Sequence, residues 1–238
     1  MLEQVRGRVL EIWIGNGLLD ERVEIRALTP GEAIGTPGEG YKLEVGRERM
    51  MEATFRGSKG QAFTDHFGDY SGTLAEVAAL PLGDNYRRAV FVASMNASLR
   101  ALGLCDRTVH CREQGPADCA KKLREHLLAA HPGRRIAMVG LQPKFLGVLA
   151  GDFQLRVLDL DPENIGTTVS GVEIEGPDTG RFATAWADLL LVTGSALANG
   201  SIFEFTDTCP AKKVIVFGVT AAGAAALYGW ERFCASSE

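Results

Sequence analysis

The apolar positions change their period along the first half of the chain. From Val5 to Ile14 they recur at helical spacing, which predicts an opening helix. The glycine- and proline-rich stretch Thr29 to Gly40 then predicts a loop. Two strand-like runs follow, Met50 to Arg56 and Gln61 to Thr64, and Gly57-Ser-Lys-Gly60 between them suits a hairpin turn. With Tyr41 to Val45 they make a small antiparallel sheet. Helices come next. Thr73-Leu-Ala-Glu76 has the form of a capping box, in which hydroxyl and carboxylate each satisfy a free helix-end amide, so a helix starts at Thr73. Asp84 caps a longer helix from Asn85 to Leu102, closed by Gly103, with Val90, Ala93, Ala97 and Leu99 among its apolar positions. A third helix runs from Ala117 to Ala130 and stops at His131-Pro-Gly133. Strands first and helices afterwards predict a smaller α+β unit over residues 1–131.

From residue 132 onward the pattern is different. Arg135–Gly140, Phe153–Asp159, Asp188–Thr193 and Lys213–Gly218 are short apolar runs ending in Gly, Asp or Thr, and helix-like segments follow at least three of them. Near-continuous apolar strands alternating with helices mean a parallel sheet covered on both faces. The fold class is therefore α/β, with a Rossmann-like parallel sheet over residues 132–238.

Composition narrows the function. The chain has 238 residues, 46% hydrophobic and 23% charged, as in ordinary globular proteins. A net charge of −5 offers no basic field for nucleic acid. No apolar run approaches the roughly 20 residues that span a bilayer, and the opening sequence lacks a signal-peptide core, which predicts a cytoplasmic chain. Cys105, Cys111, Cys119, Cys209 and Cys234 are odd in number and include no CxxC pair, which argues against a disulfide framework or a structural zinc site.

Open parallel sheets bind ligands beyond the carboxyl ends of their strands. Those ends are here Gly140-Leu-Gln-Pro-Lys144, Asp159 to Asn164, Thr193 to Ser201 and Gly218-Val-Thr220. Ser201-Ile-Phe-Glu204 has the form of a second capping box, placing a helix start at Ser201. A plain turn would explain Ser201, Glu204, Gly194 and Gly200. It would leave Thr193, Ser195 and Asn199 unexplained, since a turn needs one such polar residue. A helix N-terminus attracts an anion by roughly 0.3–1 kcal/mol, and small residues let the backbone approach closely. Thr193 to Gly200 is thus the first candidate for ligand contact.

Gly140-Leu-Gln-Pro-Lys-Phe-Leu-Gly147 is not a GxGxxG fingerprint, and Pro143 suits a first helical turn, so standard NAD binding is not expected. Asp159 and Asp161 stand where a ribose-binding acid sits, or are turn residues. His66, in Thr64-Asp-His-Phe-Gly-Asp69, is a candidate metal ligand, and His110 lies beside Cys111. Both fit solvated loop positions as well. His126 and His131 read as surface or helix-end residues.

The segment from Arg135 to Leu227 resembles the C-terminal domain of the heavy-metal chelation family, whose function is largely unknown. Ile136–Gly140, Asp159-Leu-Asp-Pro162, Val214–Gly218 and above all Ala187–Ser201, with its Thr-Gly-Ser…Asn-Gly-Ser pattern, carry the likeness. The resemblance implies an enolase N-terminal-like domain before the Rossmann-like one, and Gly60-Gln-Ala-Phe63 and Ala93–Ala97 are similar to its elements. It also implies a site between the domains for a metal or metal complex. The chain departs from the family at Gly218–Gly223, where a Gly-Pro-Ser/Thr loop is usual, and at Asp159–Pro162, where an acid followed by Asn-Pro is common.

The expected function is the binding of a small anionic or metal-bearing ligand, with a transition metal or metal complex as its cofactor. Thr193, Gly194, Ser195, Asn199, Gly200, Gly140 and Thr220 would contact it, with Asp159 opposite and Asn96 reaching in from the first half. One alternative is an enzyme using a nucleotide-type cofactor such as S-adenosylmethionine at the same strand ends. Another is a non-catalytic assembly subunit. A homodimer is compatible with either.

Overall fold

The computed structural model of the chain describes residues 2–35, 48–206 and 213–238. The strand expected at Tyr41 to Val45 and the thiol of Cys209 lie outside the described residues. Helix α1 (Leu2–Gly15) buries Val5, Val9 and Trp13 on one face. Strand β1 (Arg22–Leu28) follows. The next stretch, expected as a loop, opens instead with helix α2 (Pro30–Ile34). Thr29 and Glu32 form a capping box there and Pro30 sits in the first turn, where its missing N–H is not needed.

Strands β2 (Arg49–Phe55) and β3 (Ser58–Thr64) pair antiparallel around Arg56-Gly57. Both turn residues have positive φ, 48° and 76°, the sense that matches strand twist in a two-residue hairpin. The turn is thus shorter than the four residues expected, and Ser58 to Gly60 belong to β3. Strand β4 (Tyr70–Thr73) completes a sheet of order β3-β2-β1-β4. Thr73 and Glu76 close their capping box over α3 (Leu74–Ala79). Asp84 caps α4 (Asn85–Ala101) by accepting from the Arg87 amide at 2.8 Å.

Helix α4 positions everything else. Its eleven residues from Ala89 to Leu99 are all buried, as in a helix enclosed on every side. Gly60 lets β3 lie directly on it, for a Cβ there would stand 2.1 Å from the Ala97 amide nitrogen. Helix α5 (Gly115–Ala130) then leads into the second sheet.

That sheet contains β5 (Arg135–Val139), β6 (Gln154–Leu158), β7 (Thr168–Val169), β8 (Val172–Glu175), β9 (Leu189–Thr193), β10 (Lys213–Phe217) and β11 (Glu231–Phe233). Its order is β11-β10-β9-β5-β6-β8-β7, parallel throughout except for the β7–β8 hairpin. Helices α6 (Pro143–Leu149), α7 (Gly180–Trp186), α8 (Ser195–Asn199), α9 (Phe203–Thr206) and α10 (Ala222–Tyr228) join the strands. From β5 the chain first moves outward to β6 and later returns on the other side to β9. The strand order therefore reverses between β5 and β9.

One face of this sheet, with Ala137, Leu190, Val192 and Val216, shares a continuous core with α4, α1 and the first sheet. The opposite face, with Ile136, Met138, Leu191 and Ile215, is covered by α5 and α6. Among the described residues no helix is long and apolar enough to cross a membrane.

Candidate functional site

At the reversal point the backbone is drawn together by small residues. Gly140, after β5, has φ of 86°, and a Cβ there would lie 2.6 Å from Thr193 Cγ2. Gly194, after β9, donates to Phe217 O at 2.7 Å and leaves no room for a Cβ beside the Ala221 amide nitrogen, 2.8 Å away. These approaches hold the ends of β5, β9 and β10 around a cleft of about 740 Å³. The ends of β2 and β3 close it from the other side, through Met50, Phe63, Thr64 and Asp65.

Thr193, Gly194, Ser195, Asn199, Asp159, Gly140 and Thr220 all line this cleft. The helix after β9 begins at Ser195, however, and not at Ser201, so the supposed loop is mostly the five-residue α8. Ser195 N donates to Thr193 Oγ1 at 3.3 Å. Asn199 Oδ1 accepts from Ser201 N at 3.0 Å and from Ser201 Oγ at 2.7 Å. Thr220 Oγ1 accepts from the Phe63 amide at 3.0 Å and so pins the first sheet to the second. Asp159 ties its own loop to the one after β5: Oδ2 accepts from Leu141 N at 2.7 Å, and Oδ1 from Asp161 N at 2.8 Å and Asn164 Nδ2 at 3.3 Å.

Three expected residues stand elsewhere. Asn96 is fully buried and does not reach the cleft, because backbone groups from three segments surround its amide. Gly200 is the left-handed cap of α8, at φ of 88°, and faces the Arg88 side chain. His66 is 70% exposed, pairs with Asp65 at 3.1 Å and lies outside the lining.

Residues 123–229 match the DUF364 family model, described as "Putative heavy-metal chelation". The match covers β5 to β10 of the second sheet and the cleft side built from them, and ends before β11. Two solved structures of DUF364 proteins of unknown function share the fold. The one from Pyrococcus horikoshii is 12% identical, with a TM-score of 0.55 over 92% of this chain and 79% of that one. The one from Desulfitobacterium hafniense DCB-2 is 11% identical, with a TM-score of 0.54 over 93% and 83%. At these identities the likeness is one of fold. No curated protein matches the chain.

The cleft also gathers residues that sequence reasoning missed or set aside. Glu48, Asp65, Asp161 and Glu204 join Asp159 in the lining, against Arg181 and His110. His110 Nδ1 lies 2.6 Å from the Cys111 carbonyl, which can only accept, so Nδ1 carries the proton and Nε2 keeps its lone pair. Burial lowers the His110 pKa and keeps the ring neutral at pH 7. Its place depends on the segment Thr108–His110 lying along β3, held by Gln61 N to Thr108 O at 3.1 Å and His110 N to Gln61 Oε1 at 2.7 Å. No local periodicity announces such a contact. Burial opposes ionisation of Asp65, yet bonds from Asn85 and His66 hold its carboxyl below the usual range. Cys105, Cys111, Cys119 and Cys234 are free thiols, and burial pushes Cys111 up to about 12, which keeps it protonated.

Proposed function

We propose that the chain binds a small cationic or metal-bearing molecule in the cleft at the carboxyl ends of β5, β6, β9 and β10. One observation carries this reading: an open cleft of about 740 Å³ whose described lining sets five carboxylates against one arginine and a neutral histidine. The volume lies within the range of small-molecule sites, about 300–1,000 Å³. An acidic concave wall concentrates cations and repels anions. The dipole of α8, five residues long, is too small to reverse that preference.

Among the described residues, no three carboxylate, imidazole or thiol donors of the cleft converge within 4.8 Å of one another. A bare ion would find too few ligands, so the positive charge belongs on a larger molecule. A metal complex suits both the cleft and the description attached to the DUF364 match. In this reading residues 1–131 and 132–238 are two units, enolase N-terminal-like and Rossmann-like, whose facing edges form the site. Thr193, Ser195 and Asn199 contact the ligand from the second unit, and His110 from the first. The open volume weighs against an assembly subunit with a filled cleft. The nucleotide-cofactor alternative loses support at Asp159, whose carboxylate is taken up by the backbone amides of Leu141 and Asp161.

Native mass spectrometry with elemental analysis of the purified chain tests the proposal. A small molecule or metal complex should accompany the wild type and be lost from His110→Ala. A wild type that carries nothing, and whose melting is unmoved by Ni²⁺, Cu²⁺ or Zn²⁺ chelates, would sink it.

A further inference from the structure

The parallel sheet has a second charged end. At the amino ends of its strands, away from the cleft, His126 on α5, His131 just past that helix and Glu231 at the start of β11 converge. One donor atom from each lies within 4.8 Å of the others. We propose that this triad is a binding site for a single divalent transition-metal ion of the zinc class.

His126 Nε2 and Glu231 Oε1 are 3.4 Å apart, long for an N–H···O bond. Zinc bonds of about 2.0–2.1 Å in tetrahedral geometry put neighbouring donors roughly 3.3–3.4 Å apart. The pair already has that separation. Two imidazoles and a carboxylate are also a donor set that zinc favours, with a further position left for water.

The Lys213 ammonium pairs with Glu231 Oε2, which leaves Oε1 for the ion and fixes the carboxylate plane. The Phe233 ring packs 5.7 Å from that of His126, and the two imidazoles stand 6.2 Å apart at 73°.

Such an ion would clip the three-residue edge strand β11 to the end of α5. It would sit roughly 15 Å from the cleft, at the far end of five-residue strands rising about 3.3 Å per residue. The two sites stand or fall separately.

Calorimetric titration of the whole chain with Zn²⁺, with Co²⁺ as a spectroscopic probe, tests this site. The wild type should bind one Zn²⁺ here, show the Co²⁺ bands of a low-coordinate nitrogen–oxygen site, and melt higher with metal. His131→Gln and Glu231→Gln should each weaken binding tenfold or more and abolish the rise in melting temperature, whereas His66→Ala should change neither. No uptake of Zn²⁺ by the wild type, or unchanged uptake by both variants, overturns the proposal. If the variants fold poorly, the imidazole NMR signals of the wild type decide. The first equivalent of Zn²⁺ must move those of His126 and His131, and movement confined to His66 or His110 overturns it as well.

Discussion

Asn96 and Asn199 both stand among small residues, and the fold uses their amides in opposite ways. Asn96, inside α4, donates through Nδ2 to Gln61 O at 2.9 Å, Thr220 O at 3.0 Å and Val219 O at 3.3 Å. Its Oδ1 accepts from Gly223 N at 2.8 Å. Every partner is distant in sequence, and the amide ties β3, the loop after β10 and the start of α10 to one helix. Asn199 bonds only to Ser201, two residues away, and its Nδ2 has no partner among the described residues. A buried amide must be satisfied, so distant partners mark architecture. An amide with one local partner at a cleft wall keeps a donor available for something else.

The comparison breaks first at Asn96. Asn96→Ala strands three carbonyls and one amide in the core and should cost about 3–4 kcal/mol of stability in urea unfolding. Asn96→Asp should be no better, since it turns a carboxylate oxygen toward those carbonyls. A melting curve like that of the wild type in either variant would show that water replaces the clasp at little cost.

Gly194 joins the two regions, because it packs the turn after β9 against the loop that Asn96 holds. Gly194→Ala places a Cβ 2.8 Å from Ala221 N and 3.2 Å from Phe217 O, both backbone atoms with little freedom to yield. The expected cost is roughly 1–3 kcal/mol, with the loop displaced toward the cleft. Gly7→Ala, in α1 with nothing near the added methyl, is the control and should be neutral or stabilising. Equal behaviour of the two variants would mean that the loop gives way freely.

Much of this arrangement was legible in the residues. Apolar runs ending in glycine, aspartate or threonine marked four strands of the parallel sheet, since a strand buried on both faces tolerates little else. Capping boxes at Thr73 and a cap at Asp84 placed helix starts because the hydrogen bonds are local. The same local rule misled at Ser201, whose hydroxyl turns back to Asn199 instead. The rule holds as well at Thr29-Pro-Gly-Glu32, where glycine and proline by themselves suggest only a loop. Asn96 illustrates the deeper limit. Its place in a helix could be read, but its partners lie 35 to 127 residues away, and only the packed fold decides whether it faces a cleft or a core. His110 reached the cleft by the same kind of long-range contact.

Asp159 lies between the two extremes, with two backbone amides and one side-chain amide on its carboxylate. Asp159→Asn keeps the shape but replaces an acceptor oxygen by a donor, and should cost about 1–2 kcal/mol in thermal unfolding. The loss should fall below that of Asn96→Ala. A larger loss would place Asp159 with the architecture.

The smallest expected effect is the most informative about the cleft. Asn199→Ala removes the acceptor that holds Ser201 and should lower stability by about 0.5–1 kcal/mol, as for one net hydrogen bond. Ser201→Ala removes the other end of the same bond, so the double variant should lose little more than either single one. Additive losses would mean that the two side chains act separately. Asn199→Asp keeps both acceptor bonds, replaces the Nδ2 donor by an acceptor oxygen and adds a negative charge. It should therefore melt within roughly 0.5 kcal/mol of the wild type. If Nδ2 grips the ligand, this variant folds normally and yet parts from the molecule that accompanies the wild type in native mass spectrometry. If that molecule stays bound to Asn199→Asp and Asn199→Ala alike, Asn199 serves the turn alone, and its free donor faces nothing but water.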